Sequence, residues 1–135
     1  MFKLIKILNS GANVPESVKL PKFTDICVKQ GDAVILVNGG VTCCGESSRP
    51  THIALQNADY SADSILCYEI HENMLFEAPL SENPTSLSIG SKVLLNIDGD
   101  SSAFGVCAAA ASGGVATVID LMGAKQAGDK ITVKF

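Results

Sequence analysis

A chain of 135 residues is long enough for one ordinary domain that buries about two-thirds of its unfolded surface, so no metal or disulfide staple is required. The net charge of -4 and a single arginine, Arg49, argue against a protein that tracks a phosphate backbone, because such proteins concentrate Lys and Arg. No apolar stretch approaches 18 residues and Met1–Lys6 is too interrupted for a signal peptide, so the expectation is a soluble chain that is not exported.

Hydrophobic residues make up 47% of the chain, with no Trp, five Phe and two Tyr, which points to a core of β-branched and aliphatic side chains. Phe2–Leu8 reads as an edge strand or docking arm. Asn9–Pro15 is a loop, and Pro15 and Pro21 exclude a helix interior between them, so residues 9–23 form an extended segment laid across a sheet or a neighbouring subunit. Phe23–Lys29 reads as a short strand.

Gly31-Asp32 then opens an apolar run, Ala33–Val37. Asn38-Gly39 reverses it into Val41–Cys44, a hairpin with a type I′ turn. The same opening returns at Gly90-Ser91, whose run ends at Asp98-Gly99 where the first copy has Asn38-Gly39, and again at Gly128-Asp129. The copies are unequally spaced, which excludes a fixed-period solenoid and favours one sheet-built domain.

Between these openings Thr51–Leu55 reads as a strand and Asn57–Asp63 as a solvent-facing tip. Ser64–Glu72 shows the clearest alternation, with Leu66, Tyr68 and Ile70 on one face and Cys67, Glu69 and His71 on the other. Met74–Ala78 follows as a strand, and Pro79–Pro84 as a loop. Phe104–Ala111 is Ala-rich, but Gly105 and Ser112-Gly113-Gly114 favour a buried strand over a helix. Gly114–Leu121 is another strand. Nine or ten short strands and no amphipathic helix predict an all-β fold: an antiparallel sandwich or small barrel with an extended N-terminal arm, divided as 1–23 arm or edge strand and 24–135 single β domain.

Chemistry is harder to place. Cys27, Cys43, Cys44, Cys67 and Cys107 form an odd set without C-x-x-C, as expected of reduced thiols filling a core. Cys67 and His71 lie four apart, about 13 Å along a strand, too far to share a zinc ion or a proton. Cys43 and Cys44 face opposite sides. Glu69, Glu72 and Glu77 lack the aromatic platforms of a sugar cleft and suit an exposed sheet face. The expectation is no enzyme, no cofactor and no metal. The Gly-Asp turn of lipoyl and biotinyl carrier domains is present without their modified lysine.

Taken together, Phe2-Lys3-Leu4-Ile5-Lys6 with the Asn-Val-Pro loop, the Gly31-Asp32-Ala33-Val34 hairpin, Ile89–Asn96, Gly114-Val115-Ala116 and the closing Ala127–Phe135 resemble the decoration, or capsid cement, proteins of tailed bacteriophages and prophages. The resemblance runs over most of the chain in short motifs; Cys43-Cys44 and Tyr60–His71 match none of them. It implies a β-rich structural virion protein, commonly a homotrimer, assembled in the host cytoplasm and seated on the outer capsid surface against the major capsid protein, with neither nucleic acid nor membrane as partner. The expected contacts are Phe2, Leu4, Val14, Pro15, Val18 and Pro21, and deleting residues 1–22 is expected to abolish capsid binding while leaving a folded domain. The alternatives are an adhesin or fibre-type module binding glycans through loops such as Asn57–Asp63, and a small hydrolase using Cys and His.

Overall fold

A computed structural model describes residues 1–8, 14–98, 101–109 and 114–135, with residues 97, 98 and 101–109 described by their backbone. Eleven strands follow in order: β1 (Lys3–Ile7), β2 (Ser17–Pro21), β3 (Ala33–Val37), β4 (Gly40–Cys43), β5 (His52–Ala54), β6 (Ser64–Glu69), β7 (Met74–Pro79), β8 (Lys92–Asp98), β9 (Ser101–Ala109), β10 (Ala116–Asp120) and β11 (Lys130–Lys134). Among the described residues there is no helix, and so none long and apolar enough to cross a membrane.

The three strand openings that share a sequence also share a geometry. In each, a type II turn places Gly at its third position, with φ of 85° at Gly31 and 89° at Gly90 and Gly128. The turn closes by a backbone bond from Asp32 to Lys29, from Ser91 to Ser88 and from Asp129 to Gln126, at 3.0, 3.0 and 3.2 Å. The side chain of the residue after Gly accepts from the first amide of the turn: Asp32 Oδ2 from Lys29, Ser91 Oγ from Ser88 and Asp129 Oδ2 from Gln126. Each Gly amide then donates to a carbonyl on the neighbouring chain segment, at Ala54, Val118 and Leu80. The same three residues donate back to the carbonyls of Asp32, Ser91 and Asp129. Two residues opposing one, with Gly left-handed, is a G1 bulge.

The repeat is therefore a sheet-entering device used three times, and it explains why Gly recurs where a Cβ residue would cost about 1–2 kcal/mol in a left-handed conformation. A Cβ at Gly90 or Gly128 meets nothing within 4 Å, whereas one at Gly31 runs into the Met1 side chain. Gly90→Ala and Gly128→Ala are accordingly expected to lose about 1–2 kcal/mol each, and Gly31→Ala measurably more, in urea unfolding. Equal losses at all three would show that the Met1 contact contributes nothing.

Strand pairing is antiparallel throughout, in a six-stranded sheet, β1-β7-β11-β10-β8-β9, and a five-stranded sheet, β2-β6-β5-β3-β4. The hairpin at Asn38-Gly39 forms as its sequence dictates, with Val37 opposite Gly40 and both turn residues at positive φ, 50° and 81°. Met74, Phe76, Val93, Leu95, Val118, Ile131 and Val133 from one sheet pack on Ala33, Ile53 and Tyr68 from the other, the arrangement of a β-sandwich.

The five-stranded sheet has a second core on its far face, built from Val28, Val34, Val41, Ala54, Ala58, Ile65 and Cys67. Residues 22–32 and 55–62 cover it. The chain leaving β2 bridges to β4 at Lys22 and Val41, so this sheet curls partway toward a barrel. Two expectations are corrected here. Phe23–Lys29 is not a strand but a cover whose Val28 plugs the second core, held by one bridge to Ala58. Asn57–Asp63 is not wholly a solvent tip, because that bridge buries Ala58.

The first 23 residues contribute an edge strand to each sheet. β1 pairs with β7 and β2 with β6, and Phe2, only 2% exposed, lies edge-on to Phe135 with ring centroids 5.2 Å apart. The two strands are part of the sandwich, not an arm outside it. β1 also carries the devices that discourage edge-to-edge pairing, lysines at positions 3 and 6 and a bulge between Leu4 and Lys6. Of the predicted loop at 9–15, Val14 and Pro15 lie outside any strand, and residues 9–13, the turn residue Gly99, Ser112-Gly113 and the side chains of Phe104 and Cys107 lie outside the described residues.

Candidate interaction surface

Where β2 crosses the end of the sandwich, an open groove of about 830 Å³ lies between β1, β2 and the β6–β7 turn. Its apolar side is Ile7, Val14, Pro15, Val18 and Leu20; its polar side is His52, Glu69 and His71. Val14 is 80% exposed and Val18 39%, an unusual exposure for two valines within five residues. Val18 lies on β2, an edge strand with β6 on one side only, and Val14 on the segment that leads into it.

Of the contact residues expected from sequence, Val14, Pro15 and Val18 come together in this groove, and Pro21 is exposed farther along β2. Leu4 is half-buried against the main core. Phe2 is corrected outright: its ring is consumed by the core and offers nothing to a partner.

The histidines were not paired by sequence reasoning, yet the fold brings both to one place. His52 sits opposite Glu69 across β5 and β6, and β6 ends at Glu69, so the following turn carries His71 Nε2 to 3.9 Å from Glu69 Oε2. His52 is 7% exposed, with Nδ1 2.8 Å from Thr51 Oγ1. Burial holds its pKa below the ordinary imidazole value; Glu69 opposes this and His71 adds to it.

The unfolded chain therefore takes up a proton at His52 at a higher pH than the folded chain does. Stability contributed by keeping this ring neutral is complete above the unfolded pKa and declines as pH falls below about 6.5. Thermal unfolding is expected to show a lower midpoint at about pH 5 than at about pH 7, with the difference reduced in His52→Gln. An unchanged slope in that variant would remove His52 as the cause.

Cys67 does not join His71. Its side chain is fully buried in the second core, and burial pushes its pKa up to about 11. Cys44, in the main core, is pushed up to about 12, by burial first and by Cys43 second. The core-filling expectation holds for these two; Cys27 and Cys43 are half-buried. In peptide-resolved alkylation at pH 8, Cys44 and Cys67 of the folded protein are expected to react on the order of a hundredfold slower than after unfolding. Equal rates would place either thiol at the surface.

The three glutamates separate. Glu69 lines the groove, Glu72 lies in the β6–β7 turn, and Glu77 accepts from Lys130 Nζ at 2.7 Å on the outer face of the six-stranded sheet. That bond, with the nearby charges of Lys130 and Lys3, holds the Glu77 carboxyl below its usual range. Among the described residues no group of three or more His, Cys, Asp or Glu side chains is placed to hold a metal ion. The groove thus offers an apolar rim beside an imidazole and carboxylate edge, which is chemistry for contact. Compared with known proteins, the chain matches no protein-family model and no curated protein.

Proposed function

We propose that the chain is a structural protein of a phage head, binding the outer surface of the assembled shell and stabilising contacts between major capsid proteins. The observation that carries this reading is the groove rim: Val14, just before the edge strand β2, and Val18, on it, stand exposed beside the half-buried Pro15, where a protein partner can cover them. The motif resemblance supplies the identity of that partner. Repeated over a shell, a contact of this modest size holds through avidity. A homotrimer on the virion surface is the expected form.

The test is co-sedimentation with empty heads assembled from the major capsid protein encoded beside this chain. The wild type is expected to bind to saturation. Val14→Asp with Val18→Asp is expected to weaken occupancy at least about tenfold while stability moves by no more than about 0.5 kcal/mol, as for other exposed positions. Absence of binding by the wild type would overturn the reading.

A further inference from the structure

The outer face of the six-stranded sheet carries a stripe that sequence order conceals. Lys6 on β1 pairs with Leu75 on β7, and the pairing of Phe76 with Val133 sets Leu75 beside Lys134 on β11. Lys134 in turn pairs with Thr117 on β10, which pairs with Lys92 on β8. One cross-strand row therefore reads Lys6, Leu75, Lys134, Thr117, Lys92. Neighbouring strands lie about 4.8 Å apart, so a lysine on every second strand gives cations about 10 Å apart.

Lys92 Nζ donates to Thr117 Oγ1 at 2.6 Å, which holds one ammonium against the sheet. At the same end Arg49 joins Lys92 and Lys134 around a depression of about 640 Å³, with Glu72 as the carboxylate side chain facing them. No ion pair among the described residues neutralises these four cations; the lysine held by a carboxylate is Lys130, on Glu77. With the whole chain at -4, a row of three lysines outside any salt bridge among the described residues stands out against an acidic remainder.

We infer that this stripe is a second docking surface, and that its partner is an acidic protein surface with carboxylates about 10 Å apart. It rests on the proposed function for the partner's identity, the capsid shell. A clamp must hold two neighbours, and the stripe supplies a contact separate in chemistry from the apolar groove. The two surfaces meet at the β6–β7 turn, where His71 borders the groove and Glu72 the depression. Nucleic acid fits poorly. Duplex phosphates present a charge about every 1.7 Å of axis, far denser than the row, and the acidic remainder of the chain repels them. Steering by such a stripe acts on association and falls as salt rises.

The experiment compares head binding by Lys92→Glu, Lys134→Glu and their combination with Lys125→Glu, an exposed lysine away from the row. Each stripe variant is expected to bind at least about threefold more weakly, and the double variant at least about tenfold. Lys125→Glu is expected to match the wild type, and wild-type binding to weaken between about 50 and 300 mM salt. If the wild type decorates heads and the double variant does so equally, the stripe assignment is wrong and the proposed function stands. If the wild type fails to decorate, the proposed function falls, and the stripe is judged by titrating ¹⁵N-labelled protein with poly-L-glutamate. Shifts confined to the row and lost in the double variant uphold an acidic protein partner. Shifts that are absent, scattered, or larger with a short DNA duplex overturn it.

Discussion

Deleting residues 1–22 is expected to abolish the cooperative unfolding transition instead of releasing a folded core. The cut removes the edge strand of each sheet, with five residue pairs between β2 and β6 alone. It removes the Phe2 ring from the main core and from its edge-on contact with Phe135, together with the bond from the Phe2 amide to the Gly31 carbonyl at 2.9 Å. It also removes Leu4 and Ile7 from the main core, Leu20 from the second, and the Lys22 amide that donates to the Asp63 carbonyl. A buried phenylalanine cut to alanine costs about 3–5 kcal/mol. Domains are held by about 5–15 kcal/mol in total, so Phe2 with two strands exceeds what the remainder can lose. Circular dichroism with urea titration decides it: a native-like transition in the truncated chain would refute the integration of these residues. Phe2→Ala in the full chain, expected to lose about 3–5 kcal/mol, keeps the question measurable if the truncated chain cannot be prepared. A head-binding defect after truncation would therefore report unfolding, and exposed-site substitutions at Val14 and Val18 are the cleaner probe.

The parts of the fold that sequence disclosed were those written in local chemistry. Asn38-Gly39 demands positive φ at two successive residues, which a hairpin turn uses, and Gly followed by Asp or Ser marks a left-handed residue whose neighbour caps the turn. Alternation along Ser64–Glu72 was equally legible, but not that the strand formed from it, Ser64–Glu69, is covered on both faces. Ile65 and Cys67 are buried because Val28 and Ala58, distant in sequence, cover them. Phe23–Lys29 misled for the same reason, since apolar residues that plug a second core look like a strand when no partner is in view.

The surface divides along the same line. Val14, Pro15 and Val18 were legible, because Pro15 and Pro21 exclude a helix between them and leave an extended segment with apolar side chains. Gathering His52 with His71 required the non-local pairing of β5 with β6. Aligning Lys6, Lys134 and Lys92 required the order β1-β7-β11-β10-β8, in which sequence neighbours are rarely sheet neighbours. Such registers are set by which hydrophobic face turns inward, a property of the assembled pair of sheets.

Phe76→Ala is expected to be the most damaging single substitution in the core, by about 3–5 kcal/mol. Phe76 has no exposed surface and lies on β7, hydrogen-bonded between β1 and β11. Its ring stacks on Tyr68 from the opposite sheet, centroids 6.4 Å apart and planes within 1°, and meets Phe135 edge-on at 5.4 Å. Each aromatic pair adds about 0.5–1.5 kcal/mol beyond the area it buries, and Phe76 belongs to two of them. The cavity would open between two sheets joined to each other mainly by side chains, and backbone ladders within each sheet keep the walls from collapsing into it. A fall in Tm of at least about 10 °C is expected by calorimetry, with Phe76→Leu falling less because it refills part of the volume. Tyr68→Ala combined with Phe76→Ala should lose less than the two single losses added, since each removes the same stacked pair. Full additivity would mean that the rings do not meet across the sheets, and the packing described between β6 and β7 would have to be abandoned.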